Sequence, residues 1–174
     1  MKVYLIAGRA RSGKTQTAKI LKELLEKENR KVVITEYSKY IKLFAKDFLG
    51  WDMISEPKPR AFLQEMGEYV RHLNKDTYFT ERMKEDLNIY SHFVDDVIIS
   101  DVRMPKELEE LKSFHPVKIK VVNENANYDL TPKEASHETE HALDNYEGFD
   151  YVIKNKTEQE MTEILKQVIR KVIE

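Results

Sequence analysis

The sequence predicts a three-layer α/β fold, with a five-stranded parallel sheet and helices on both of its faces. Three observations lead there. Short β-rich runs alternate with longer charged segments of helical period, which is the pattern of repeated strand–helix units. Two of those runs, Val3 to Ala7 and Val97 to Ser100, are nearly all apolar, as strands covered on both faces must be. The first runs straight into a glycine-bearing loop and a helix, Gly8 to Thr15, spaced G-x-x-x-x-G-K-T.

The other strands are expected at Lys31 to Thr35, Val117 to Val122 and Asp150 to Ile153. Helices are expected to begin at Gly13, Tyr37, Pro57, Thr77, Pro105 and Thr157. The first carries apolar Ala18, Leu21 and Leu25. The last is the clearest: Thr157 and Glu160 form a capping box, and Met161, Ile164, Leu165, Val168 and Val172 make one apolar stripe. Asp95 and Asp96, just ahead of the third strand, read as caps of a turn. No repeat, low-complexity tract or Gly/Ser linker divides the 174 residues. One domain over 1–174 is therefore expected, with a helical insertion over 36–92 and a lid-like segment at about 123–141. A chain of this length can bury roughly two-thirds of its unfolded surface.

Composition removes several function classes. With 29 basic and 31 acidic residues the net charge is −2, which does not suggest a nucleic-acid binder driven by phosphate contacts. No apolar run approaches the ~20 residues of a membrane span, so no membrane partner is expected. The opening MKVYLIAG is too short for a signal peptide and reads as a buried strand. The absence of cysteine removes thiolate catalysis, thiolate zinc sites and disulfides, and it fits a cytoplasmic protein. A homodimer is left open.

Gly8-Arg-Ala-Arg-Ser-Gly13-Lys14-Thr15 matches the phosphate-binding P-loop in full. Glycines let the backbone wrap closely, so that successive N–H groups point at phosphate oxygens, and the helix N-terminus adds a favourable dipole. Gly8, Arg11, Ser12, Gly13, Lys14 and Thr15 are thus the candidate ATP-binding residues. Lys14, expected at a solvent-facing position, would reach the β/γ-phosphates, and the Thr15 hydroxyl would ligate Mg²⁺. Asp101, at the end of the third strand, is the second candidate Mg²⁺ ligand.

Residues 57–74 carry a second pattern. Arg60, Gln64, Gly67 and Arg71 fall on one helical stripe, and Phe62, Met66, Tyr69 and Leu73 on another that would pack inward. A glycine in the polar stripe costs ~1 kcal/mol relative to Ala, which makes sense if a flat ligand lies against the backbone. Two flanking arginines suit bidentate phosphate recognition. The alternative is a solvated charged face with an incidental glycine.

Taken together, these stretches resemble the deoxynucleoside monophosphate kinases of bacteriophages and bacteria, within the wider P-loop nucleoside monophosphate kinase group. The resemblance rests on the P-loop, Ser38 to Trp51, Arg60 to Gln64 with Gly67 and Arg71, and Ser100 to Arg103 with Glu107. It continues through His137 to Glu140 and Asp150 to Asn155. It implies transfer of the ATP γ-phosphate, with Mg²⁺, to a nucleoside or deoxynucleoside monophosphate. Lys14 and Thr15 would then serve ATP and Mg²⁺, and Arg60, Gln64 and Arg71 would line the acceptor site. Asp101 and Arg103 would sit at the transfer centre, Asn155 near the adenine, and Lys42 on the acceptor side. Kinases of this group usually carry arginines in the lid, yet this chain has none from Met104 through Ile169. Lys133 and two histidines stand there instead, and Arg9, Arg11 or Arg103 could supply the charge. A kinase for another small phosphorylated acceptor, or a nucleotide-binding protein without transfer activity, fits the same loop.

His137-Glu-Thr-Glu-His141 also matches the zinc-protease pattern H-E-x-x-H. A zinc protease holds that pattern in a long buried helix with a third ligand downstream. Here it is short, acidic and bounded by Pro132 and the Asn145–Gly148 turn, so a solvated lid or helix start is expected. His72 and His115 read as surface residues and Trp51 as packing.

Overall fold

Strand β1 (Lys2–Ala7) lies at the centre of the sheet because both of its faces are apolar. Val3, Leu5 and Ala7 point to one side, Tyr4 and Ile6 to the other, and all five are fully buried. The computed structural model describes residues 1–73, 77–123, 130–155 and 157–173. Around β1 run β2 (Val32–Thr35), β3 (Asp96–Val102), β4 (Val117–Val122) and β5 (Tyr151–Lys154) in the order β2-β3-β1-β4-β5, every pairing parallel. Helices α1 (Lys14–Lys27) and α8 (Glu158–Ile173) cover one face through Ala18, Leu21, Leu25, Met161, Leu165 and Val168. The other face is covered by α2 (Lys39–Leu49), α3 (Arg60–Leu73), α4 (Tyr78–Tyr90) and α5 (Pro105–Glu109). This is the three-layer α/β architecture of P-loop proteins, with five parallel strands as expected.

Strand ends and helix starts follow the sequence to within a few residues. α2 and α3 begin two or three residues later than expected, and β3 extends further at both ends. The Thr157–Glu160 capping box forms, with Thr157 N–H on the Glu160 carboxylate at 3.1 Å and Glu160 N–H on Thr157 Oγ1 at 3.3 Å. Two short helices occupy the lid-like segment: α6 (Pro132–Ala135), which was not anticipated, and α7 (Glu138–His141), at the expected helix start. Among the described residues, no helix is long and apolar enough to cross a membrane.

Two expectations need correction. Asp96 does not cap a turn. It is the first residue of β3, fully buried, and its carboxylate is gripped by both Nε and Nη2 of Arg30. On α3, Tyr69 and Leu73 do not pack inward but are 61% and 62% exposed. Leu63 and Gly67 are buried instead, with Phe62, Met66 and Val70 partly buried against the core. The stripe was read one step round the helix from the face that the neighbouring α2 covers.

Candidate active site

The C-terminal ends of β1 and β3 lie side by side, and the connections leaving them run to opposite faces of the sheet. In open parallel sheets such a crevice is where ligands bind. A cavity of about 550 Å³ opens there. Its lining draws on the P-loop (Gly13, Lys14, Thr15), the end of β3 (Asp101, Arg103) and α3 (Arg60, Gln64, Gly67, Arg71).

The loop takes its shape from two glycines. Gly8 (φ +150°) and Gly13 (φ +101°) both lie where side chains are disfavoured; a Cβ would strike the Val121 carbonyl at the first and the Asn155 amide at the second. Ser12 is buried within the loop, its Oγ without a hydrogen-bond partner among the described residues and its N–H on the Arg9 carbonyl at 3.3 Å. Asn155 Nδ2 donates to the Ser12 carbonyl at 3.0 Å. Asn155 therefore braces the loop, because the short strand β5 ends against Gly13.

Lys14 is not solvent-facing. It is 8% exposed, with Nζ donating to the Gly8 and Arg9 carbonyls at 2.8 and 2.6 Å. Burial pushes its ammonium down to about 7, and the nearby Arg103 charge adds to the effect. Thr15 and Arg11 are exposed at the cavity. Arg9 turns away to Asp144, which accepts from Nε at 3.2 Å and Nη2 at 2.5 Å.

Asp101 lies within β3, not after it, and both its oxygens are engaged: the N–H groups of Tyr37 and Ser38 donate to them at 2.7 and 2.9 Å. The carboxylate thus ties the start of α2 to the neighbouring strand. The Thr15 hydroxyl and the Asp101 carboxylate line the same cavity, and no group of three or more acidic or histidine side chains suited to a metal occurs among the described residues. A site with a hydroxyl and a carboxylate but no clustered ligand set fits Mg²⁺, which keeps its waters and leans on substrate phosphates instead of on an all-protein cage.

At the α3 end, Arg71 stands 5.3 Å above the Phe79 ring and 3.9 Å from the buried Glu107. Burial pushes the Glu107 carboxyl up to about 7, although it accepts the N–H groups of Arg103 and Met104. Lys42 pairs with Glu36. Arg60 lines the cavity with no ion-pair or hydrogen-bond partner for its guanidinium among the described residues. So does Lys58, which the sequence reading passed over; burial, with the Lys42 and Arg60 charges, pushes its ammonium down to about 8. Lys58 precedes the helix between two prolines, outside any periodic pattern, so nothing in the sequence marked it.

The HETEH stretch forms the single turn α7. His137 caps it by accepting from Thr139 N–H; His141 Nε2 sits 2.9 Å from the Ala135 carbonyl oxygen. His137 Nε2 lies 3.0 Å from Glu68 but is misdirected for a hydrogen bond. Lys133 pairs with Glu65 on exposed ground. Residue 123 and the part from 130 to 141 of the expected lid are described; 124–129 lie outside the described residues.

No family model matches the chain, and no curated protein matches it. The fold is shared with a solved structure. The crystal structure of APE1195 is similar over 99% of this chain and 96% of its own, with 17% identity and a TM-score of 0.51. The APS kinase CysC of Mycobacterium tuberculosis is similar over 97% and 96%, at 11% identity and a TM-score of 0.46. The shikimate kinase of Acinetobacter baumannii, in complex with shikimate, is similar over 99% and 92%, at 13% identity and a TM-score of 0.44. At these identities the likeness to APE1195 bears on fold, not on substrate.

Proposed function

We propose that this protein transfers the γ-phosphoryl group of ATP, with Mg²⁺, to a nucleoside or deoxynucleoside monophosphate. The observation that carries this reading is one cavity shared by a complete P-loop and a separate cationic wall of Lys58, Arg60 and Arg71. Two anionic ligands, one on each side, need that arrangement.

The chemistry asks for positioning and charge neutralisation. An oxygen of the acceptor phosphate attacks the γ-phosphorus while the bond to the β-phosphate oxygen breaks and ADP leaves. A phosphate nucleophile is already anionic, so no general base is required. Lys14 exchanges the Gly8 and Arg9 carbonyls for phosphate oxygens. Arg103 faces the transferring group, and Arg60, Lys58 and Arg71 orient the acceptor. Mg²⁺, held by Thr15 and near Asp101, would neutralise phosphate charge. The cytoplasm, which supplies both nucleotides, is the proposed setting, and a single kinase domain with a lid over 123–141 the proposed organisation.

Arg60 is the cleanest test of the two-sided site. A hydrogen bond to a charged group contributes roughly 1.5–3 kcal/mol, so Arg60→Ala is expected to lower kcat/KM for the monophosphate by about ten- to a hundred-fold or more. ATP affinity by calorimetry should be nearly unchanged. Equal weakening of both ligands would reject separate sites.

A further inference from the structure

The HETEH stretch has no part in the mechanism above, yet one of its carboxylates lies where transfer is proposed. Glu140 is 7% exposed although α7 is a single turn at the surface. One of its oxygens accepts the N–H of Ala10, inside the P-loop, at 2.7 Å; the other accepts from Nη1 of Arg103. A carboxylate is buried at large desolvation cost unless paired and hydrogen bonded, and both conditions are met here. Glu140 and Arg103 both line the large cavity with Lys14, and both charges act on the Lys14 ammonium, in opposite directions. Two further contacts fasten the same segment: Asp144 pairs with Arg9 of the loop, and Lys133 with Glu65 of α3.

We propose that Glu140 is a positioning residue that fixes the Arg103 guanidinium beside the P-loop. The inference rests on the phosphoryl-transfer reading and deepens it. The lid-like segment carries no arginine; it contributes a carboxylate that aims the arginine just after β3. An arginine left alone samples many rotamers, whereas one held by a carboxylate presents its remaining N–H donors in one plane toward the cavity. The Ala10 contact sets where that plane stands relative to the loop.

The test combines kinetics with a substrate-free readout. Glu140→Gln retains an oxygen for Ala10 and removes the charge facing Arg103. It is expected to lower kcat about tenfold or more while KM for ATP changes by less than about threefold. In an Arg103→Ala background the same substitution is expected to change kcat by less than about twofold, because its effect runs through that arginine. Full additivity in the double variant would overturn the proposal. So would Glu140→Gln binding ATP more tightly with undiminished turnover, the behaviour of a plug that phosphate displaces. Side-chain ¹⁵N spectra without nucleotide, with the Arg103 Nε–H signal assigned by Arg103→Lys, should show that signal shifted or broadened in Glu140→Gln. An unchanged signal overturns the pairing. A wild-type protein inert toward every monophosphate would sink the transfer reading alone, since the Arg103 signal still decides the Glu140 contact.

Discussion

A lysine whose ammonium is pushed down to about 7 by burial titrates far from its ordinary 10.5, and ATP should restore the charge. Between those values the unfolded chain holds a proton that folded Lys14 lacks, so this group costs stability as pH falls through that window. Nucleotide phosphates at Nζ favour the charged form, so ATP binding at pH 8 is expected to take up a proton. Calorimetry in buffers of different ionisation enthalpy measures it, and Lys14→Ala should abolish it; uptake unchanged in Lys14→Ala would place the titration elsewhere. Lys14, Arg60 and Arg71 were legible from motif and spacing alone. The inward turn of Lys14 was not, because a sequence does not say which carbonyls an unliganded ammonium will find. Nor were Lys58 and Glu140, which are marked only by what the fold brings near them.

Helix α3 keeps a glycine for no steric reason of its own. Among the described residues, a Cβ at Gly67 would meet only Arg71 Nη1 at 3.4 Å and Ile41 Cδ1 at 3.8 Å, which is ordinary contact. Gly67→Ala is therefore expected to stabilise the helix by up to ~1 kcal/mol, or about 2–4 °C in Tm. It should also weaken monophosphate binding and spare ATP. Thermal unfolding beside acceptor KM checks both; a variant that loses stability would mean the space belongs to the core. The polar stripe on this helix was readable from its spacing. The apolar stripe was misplaced, because which neighbour covers a helix is a tertiary fact. At α5, one Glu107 oxygen accepts the N–H groups of both Arg103 and Met104, a role that Gln can fill. Because the carboxyl titrates near 7 when folded, its stabilising effect is full below about 4.5 and lost as pH rises to 7. The Tm of Glu107→Gln relative to wild type is therefore expected to rise between pH 5 and 8. A constant difference would contradict the buried-acid assignment.

Across the molecule, the apolar runs of β1 and β3 and the stripe of α8 made the layered architecture readable, since period and burial are local properties. Long-range polar contacts were not. Arg30 and Asp96 lie 66 residues apart and close the base of the sheet. Removing Arg30 leaves a buried carboxylate unpaired, so Arg30→Ala is expected to cost roughly 3–5 kcal/mol in urea unfolding. The candidate site was legible as a phosphate-loop motif plus a second cationic stripe, and the fold puts both on one cavity. The most direct measurement of what that cavity does is ³¹P NMR of the protein with MgATP and a panel of nucleoside and deoxynucleoside monophosphates. The account predicts that ADP and a new nucleoside diphosphate appear together for at least one monophosphate, and that neither appears with Lys14→Ala. ATP bound with no diphosphate formed from any monophosphate, or ADP and free phosphate released equally without an acceptor, would contradict it.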